Sequence, residues 1–267
     1  MMNRRARWEP RLHIMTLALD AMPFICRHLE RFESLSVPWH WHVVEGVAKN
    51  VACTSWCKPI QQRISQDGTH EYMLGLRTHP HVSFYHRPLW DGKVAMCNHA
   101  LKGMPVGGIL LQVDADEFWS KDGLESIVSW FESDRDVREM SFRCRYFVGP
   151  DLVVSENESI HTGVWRRAWR FRPGARFQKH EPPVLLGAEG RISLSPEETL
   201  ERGLVFDHFA YAVEAQVAFK ESYYGYANAV ENWRQLQNES DFPVKLSRFM
   251  SWANPSSMVV KFNGRFL

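Results

Sequence analysis

The chain has 267 residues, 45% hydrophobic and 13% aromatic, which is material for one large folded domain and excludes a disordered or low-complexity protein. Its 32 basic and 31 acidic residues nearly cancel, so no overall field draws it to nucleic acid or to an anionic membrane. No apolar run approaches the roughly 18–20 residues of a bilayer span, and Arg4, Arg5 and Arg7 lead into Trp8-Glu9-Pro10-Arg11 rather than an apolar signal core, so a cytoplasmic protein without a transmembrane segment is expected.

Strand and helix signals alternate through the first half. An apolar strand over 13–19 ends at Asp20. Pro23 suits a first helical turn, and Phe24, Ile25, His28, Leu29, Phe32 and Leu35 then recur at helical spacing. A second strand over 39–44 ends at Glu45-Gly46, a less regular stretch fills 47–66, and Asp67-Gly68-Thr69 starts a helix. A third strand over 80–85, a helix over 93–101 and a strand over 108–113 come next. This alternation predicts an α/β fold with a mostly parallel central sheet covered on both faces.

The second half changes character. A strand pattern over 138–148 is followed by a hairpin over 165–177 that turns at Pro173-Gly174. A long helical pattern over 213–239 stops before Pro243, which predicts mixed strands followed by a helical C-terminus. The five cysteines are scattered; Cys53-x-x-x-Cys57 has zinc-like spacing but no second pair, and free cysteines are mostly small buried hydrophobes.

The strand over 108–113 drives into Asp114-Ala115-Asp116-Glu117-Phe118-Trp119. Three carboxylates this close repel one another and lose water, a conflict that a hard divalent cation with oxygen ligands removes. The sequence therefore predicts a metal–diphosphate site beyond a buried strand, with a polar turn capping a helix that begins near Ser120 or Lys121 as the plainer alternative. Asp134-Arg135-Asp136 repeats the spacing in a charged segment that no strand feeds, and reads as a solvated helix end.

Four pieces in order, Leu17-Ala18-Leu19-Asp20, Val43-Val44-Glu45-Gly46, Gly92-Lys93 through Asn98 to Leu101, and Val113-Asp114-Ala115-Asp116-Glu117-Phe118, resemble the GT-A glycosyltransferases, family 2-like members above all. The resemblance covers about 12–120 and implies a nucleotide-diphosphate-sugar donor, Mn²⁺ or Mg²⁺, and an inverting transfer to the hydroxyl of a glycan or other acceptor. It implies that Asp20, Glu45 (where an Asp is usual), Lys93, Asn98 and Asp114 contact the donor, with Asp116 the direct metal ligand, Asp114 sharing the metal or the ribose, and Glu117 either orienting the loop or lining the donor-sugar pocket. It further implies Glu181, in Lys179-His180-Glu181-Pro182-Pro183, as the catalytic base, with His208 completing the metal site and Lys220 touching phosphate. A single domain is expected, divided into a donor half (12–120), an acceptor half (121–212) and the helical segment (213–267).

Arg166, Arg167, Arg170, Arg172, Arg176 and Lys179 interleave with Trp165, Trp169 and Phe171. They read either as a patch for an acidic glycan acceptor or as one charged and one buried face, the second being simpler. Two alternatives stand beside the transferase: a catalytically silent nucleotide-sugar-binding module, and a sugar-phosphate nucleotidyltransferase. Asp20-Ala21-Met22-Pro23-Phe24 lacks the Gly-rich basic loop of the latter.

Overall fold

The computed structural model describes residues 11–49, 61–104 and 107–266, and Cys53 and Cys57 lie outside them. The first half runs β1 (Leu12–Ala18), α1 (His28–Glu33), β2 (Trp39–Ala48), α2 (Thr69–Gly75), β3 (Val82–Trp90), α3 (Lys93–Lys102), β4 (Ile109–Gln112), β5 (Glu117–Trp119) and α4 (Lys121–Ser133). The second half runs β6 (Val137–Tyr146), β7 (Leu152–Ser155), β8 (Thr162–Arg170), β9 (Arg176–His180), β10 (Pro183–Leu186), β11 (Ile192–Leu194), α5 (Pro196–Glu201), β12 (Val205–His208), α6 (Glu214–Tyr224), α7 (Ala229–Gln237), β13 (Val244–Lys245) and β14 (Met258–Lys261).

The main sheet is ordered β3-β2-β1-β4-β8-β6-β12-β5, with β11 also on β6. The pairings among β1, β2, β3 and β4, and those of β6 with β11 and β12, are parallel. β8 runs antiparallel to both β4 and β6, and β5 antiparallel to β12. The expected α/β fold with a mostly parallel sheet is present.

Period-two alternation distributes the core. Leu12 and Ile14 of β1 pack on one face with Phe32 of α1 and with Leu124, Ile127, Val128 and Phe131 of α4. Met15 faces the other way, with Met96, Cys97, Ala100 and Leu101 of α3. Ser120 caps α4 by accepting the Gly123 N–H at 3.0 Å. Asp134 caps its other end, and Asp136 pairs with exposed Arg191 at 2.5 Å, so the second D-x-D is a helix terminus, as expected.

Three expectations are corrected. β2 does not stop at Glu45: its register against β3 shifts between Glu45 and Val47, and the strand continues to Ala48. Gly46 makes this possible, with φ +134° and so little room that a Cβ would stand 1.9 Å from the Arg87 carbonyl oxygen. The hairpin over 165–177 does not form, because both edges of β8 are already hydrogen-bonded, to β4 and β6; the returning strand β9 pairs with β10 instead. The long C-terminal helix is two helices separated by Gly225 and Asn228, both in the left-handed region, and beyond Pro243 the chain forms β13 and β14, which pair in the order β13-β14-β7. Among the described residues no helix is long and apolar enough to cross a membrane.

Buried histidines make this fold acid-sensitive. His13 Nδ1 and His42 Nε2 stand 3.4 Å apart inside the sheet, and His28 lies under Phe118. Burial lowers His13 and His28 from 6.5 to about 4 and His42 well below 6.5. The unfolded chain therefore takes up protons as pH falls through 6.5 while the folded chain does not, so stability present at neutral pH is lost toward pH 4. The loss should be on the order of 1 kcal/mol per buried histidine by pH 5. Urea denaturation at pH 7.5 and 5.0 measures it, and a His13→Leu/His42→Leu variant should show a shallower decline; equal stability at the two pH values would refute the account.

Candidate active site

The parallel half of the sheet reverses direction of growth at β1, with β2 and β3 to one side and β4 to the other. Such a switch point leaves a crevice beyond the carboxyl ends of the two strands. A cleft of about 500 Å³ occupies it, lined by 17–22 as the chain leaves β1 and by 114–116 as it leaves β4. Lys93 enters from the first turn of α3, His180 and Glu181 from the β9–β10 turn, and His208 from the end of β12. Gln216, Phe219, Lys220, Tyr223 and Tyr224 of α6 close it.

The acidic loop is tied at every residue. Glu117 N–H donates to the Asp114 carbonyl at 2.9 Å, and Phe209 N–H to the Asp116 carbonyl at 2.8 Å. His28 Nε2–H donates to the Ala115 carbonyl at 2.8 Å, which fixes the tautomer of that neutral ring. The carboxylates then divide into two sets. Glu117, fully buried, takes the Arg167 guanidinium at 2.5 to 3.1 Å, and Arg167 Nη2 also donates to Asp114 Oδ2 at 2.9 Å. Asp114 Oδ1 accepts from Gln112 at 3.2 Å.

Asp116 points elsewhere. Its Oδ2 accepts from Gln216 Nε2 at 2.6 Å and lies 3.6 Å from Lys220 Nζ, and its Oδ1 lies 3.5 Å from His208 Nε2. The His208 ring is held edge-on between Tyr146 and Trp165, with centroids 5.0 and 4.9 Å away. Cross-strand pairing of β5 with β12 opposes His208 to Glu117, so backbone register brings Asp116 and His208 together.

Charge follows this division. Burial raises the Asp116 carboxyl, but His208 and Lys220 outweigh it and hold it below its usual range. Burial likewise works against Arg167, which Glu117 and Asp114 keep firmly charged. Lys220 is lowered by burial, with Asp116 opposing, and its ammonium also donates to the Ala210 carbonyl. Burial takes His180 down to about 3, so this ring is neutral near pH 7. Loss of solvent raises Glu181 against the pull of Arg167, although half of its side chain remains exposed.

Of the residues expected from sequence, the cleft gathers Asp20, Lys93, Asp114, Asp116, Glu181, His208 and Lys220. Glu45, Asn98 and Glu117 are not on its lining. Glu45 is sealed inside β2, accepting from Ser65 N–H at 3.0 Å and facing His70 Nδ1 at 2.5 Å. Asn98 exchanges two hydrogen bonds with the Phe177 backbone, at 2.9 and 2.8 Å, and so splices α3 to β9. Asp20, at φ +47°, accepts from Gln62 and the Gln66 N–H at 2.6 and 2.7 Å.

The interleaved arginines are not one patch. Arg170 caps the carbonyls of Phe131, Asp134 and Val137, Arg172 reaches the Gly187 carbonyl, and Arg166 faces Glu139. Sequence reasoning did not single out Arg167, His28 or Gln216 as site residues. No signal was available for Arg167, because the bulge at that residue breaks the alternation and puts Trp165 and Trp169 on opposite faces of the sheet. There was none for His28 or Gln216 either, each one residue in a helix.

The chain matches no protein-family model and no curated protein. Among solved structures, residues 1–349 of S. aureus TarS, also solved with UDP-GlcNAc, align at 16% identity and a TM-score of 0.36 over 52% of this chain. The chain spans about a third of that TarS fragment, the aligned share being 36% for the first structure. The mannosyltransferase PcManGT from Pyrobaculum calidifontis, solved with GDP-Man and Mn²⁺, aligns at 16% identity and a TM-score of 0.49 over 88% of this chain and 67% of its own. Likenesses this low decide nothing about this chain, whose chemistry has to be read from the side chains of its own cleft.

The placement of Asn98 has a direct test. Asn98→Ala leaves the Phe177 amide and carbonyl unsatisfied, at a cost of about 1–3 kcal/mol. The thermal midpoint should fall, and an unchanged midpoint in a folded variant would overturn the splice between α3 and β9.

Proposed function

We propose that the chain is a metal-dependent glycosyltransferase that moves a sugar from a nucleotide-diphosphate donor to an acceptor hydroxyl, with inversion. The observation that carries this reading is Asp116 and His208 side by side at the switch point, with Lys220 in the same cleft. A carboxylate and an imidazole flanked by cationic side chains suit a divalent cation together with a polyanion.

Mn²⁺ or Mg²⁺ fits this donor set. Asp116 Oδ1 and His208 Nε2, 3.5 Å apart and both largely shielded from solvent, form a two-ligand corner. Among the described residues no three His, Cys, Asp or Glu side chains converge as a complete cage. Such a corner leaves the other positions to water and to diphosphate oxygens, the coordination that Mg²⁺ favours. A bound divalent ion would neutralise charge that develops on the diphosphate as the glycosidic bond breaks. Asp114 is less suited to the metal than the sequence suggests, because Arg167 and Gln112 already occupy its oxygens.

The chain's own residues would do the rest. Lys220 of α6 and Lys93, whose ammonium donates to the Tyr224 hydroxyl at 3.3 Å, place two cations where the diphosphate would lie. Apolar 17–19 and the tyrosines of α6 line that space. Glu181, half exposed in the β9–β10 turn and with its pKa raised, is the base that would take the acceptor proton. Neutral His180 beside it adds no competing charge.

In calorimetric titrations Mn²⁺ alone should bind weakly, UDP or GDP with Mn²⁺ tightly, and Asp116→Ala should abolish the metal-dependent part; no metal-dependent uptake of either nucleotide by folded protein would end the donor-site reading. Glu181→Gln should lower kcat by about 10²–10⁴-fold with donor KM unchanged. A normal kcat would remove Glu181 from the chemistry and leave the donor site intact.

A further inference from the structure

Arg167 is the least expected side chain near the cleft. Along the β6–β8 ladder Met140 faces Ala168 and Ser141 faces Arg166, so Arg167 is the extra residue of a β-bulge, with no partner of its own on β6. A bulge breaks the alternation of a strand and re-aims one side chain, and bulges concentrate beside active sites. Here it sends the guanidinium inward, where only 2% of the residue is exposed. The guanidinium meets both Glu117 oxygens and Asp114 Oδ2, and lies 5.1 Å over the Trp165 ring. That same Trp165 ring holds His208 edge-on. One buried cation thus contacts the first and last carboxylates of the acidic loop and the aromatic support of the histidine.

Resting on the donor-site reading above, we propose that Arg167 is a positioning residue: it fixes Asp114 and Glu117 in one orientation, so that Asp116 is the carboxylate turned with His208 toward the metal–diphosphate. The geometry supplies a reason for each contact. A guanidinium presents donors in a rigid planar fork, which sets the angle of two carboxylates at once, and an ammonium cannot do this. Glu117 opposes His208 across the β5–β12 ladder, so turning Glu117 would disturb the pair one residue away. Outer supports of this kind typically control metal affinity by about 10–100-fold.

A purely structural salt bridge would also be buried, so the test separates stability from affinity. Arg167→Lys keeps the charge and loses the fork. Glu117→Gln/Arg167→Met removes both buried charges at similar volume, a replacement that is often neutral or stabilising. Each is measured beside wild type for thermal midpoint and, by calorimetry, for Mn²⁺ alone and for UDP and GDP with Mn²⁺.

Both variants should bind Mn²⁺ and the Mn²⁺–nucleotide about 10–100-fold more weakly, the double variant doing so without loss of thermal stability. Wild-type affinity in either folded variant, with or without a lowered midpoint, would overturn the positioning role and leave the donor site standing. Wild type that takes up neither nucleotide with Mn²⁺ would overturn the donor-site reading and this proposal together. Should Arg167→Lys not fold, the double variant decides.

Discussion

Three carboxylates within four residues, at the end of a sheet and out of bulk water, are the constraint around which this molecule is arranged. Left together they repel and lose water, and burial still lifts Glu117 to about 7 against the pull of Arg167. The fold separates them by direction. Asp114 and Glu117 turn to a buried guanidinium, whereas Asp116 turns to an imidazole, an ammonium and an amide. The partners arrive from three other elements, so the bulge in β8, the register of β12 and the placement of α6 all answer one electrostatic demand.

The backbone carries part of that load. The loop's carbonyls are taken by Glu117 N–H, Phe209 N–H and the neutral His28 ring, so the turn does not depend on its charged side chains alone. His28 is stacked between Phe32 and Phe118, 5.5 and 4.9 Å away, which keeps it dry and uncharged. The same apolar packing that builds the core therefore also maintains a hydrogen-bond donor at the site. Buried polar groups of this kind hold geometry well when fully satisfied.

Much of this was readable from the chain. β1, α3, β4 and the capped start of α4 fall where apolar runs, the helical pattern over 93–101 and Ser120 place them. Seven residues expected at the site line one cleft: Asp20, Asp114 and Asp116 follow the parallel strands β1 and β4, and Lys93, Glu181, His208 and Lys220 reach it from other elements. Long-range pairing was not readable. Glu45 sits at a plausible strand end until the Gly46 bulge carries the strand onward, and Asn98 fits a site until β9 is seen beside α3. Local turn chemistry at Pro173-Gly174 gives the turn but not the hairpin, because β8 has no free edge to receive the returning strand. Arg167 was hidden for a related reason, because a bulge is a property of two strands.

The lining of the cleft draws on residues from Leu17 to Tyr226. It joins the first strand to the turn between α6 and α7. The acidic loop precedes β12 and α6 in the chain by about a hundred residues, so any truncation that removes α6 leaves Asp116 without Gln216 and Lys220 and leaves the cleft open on that side.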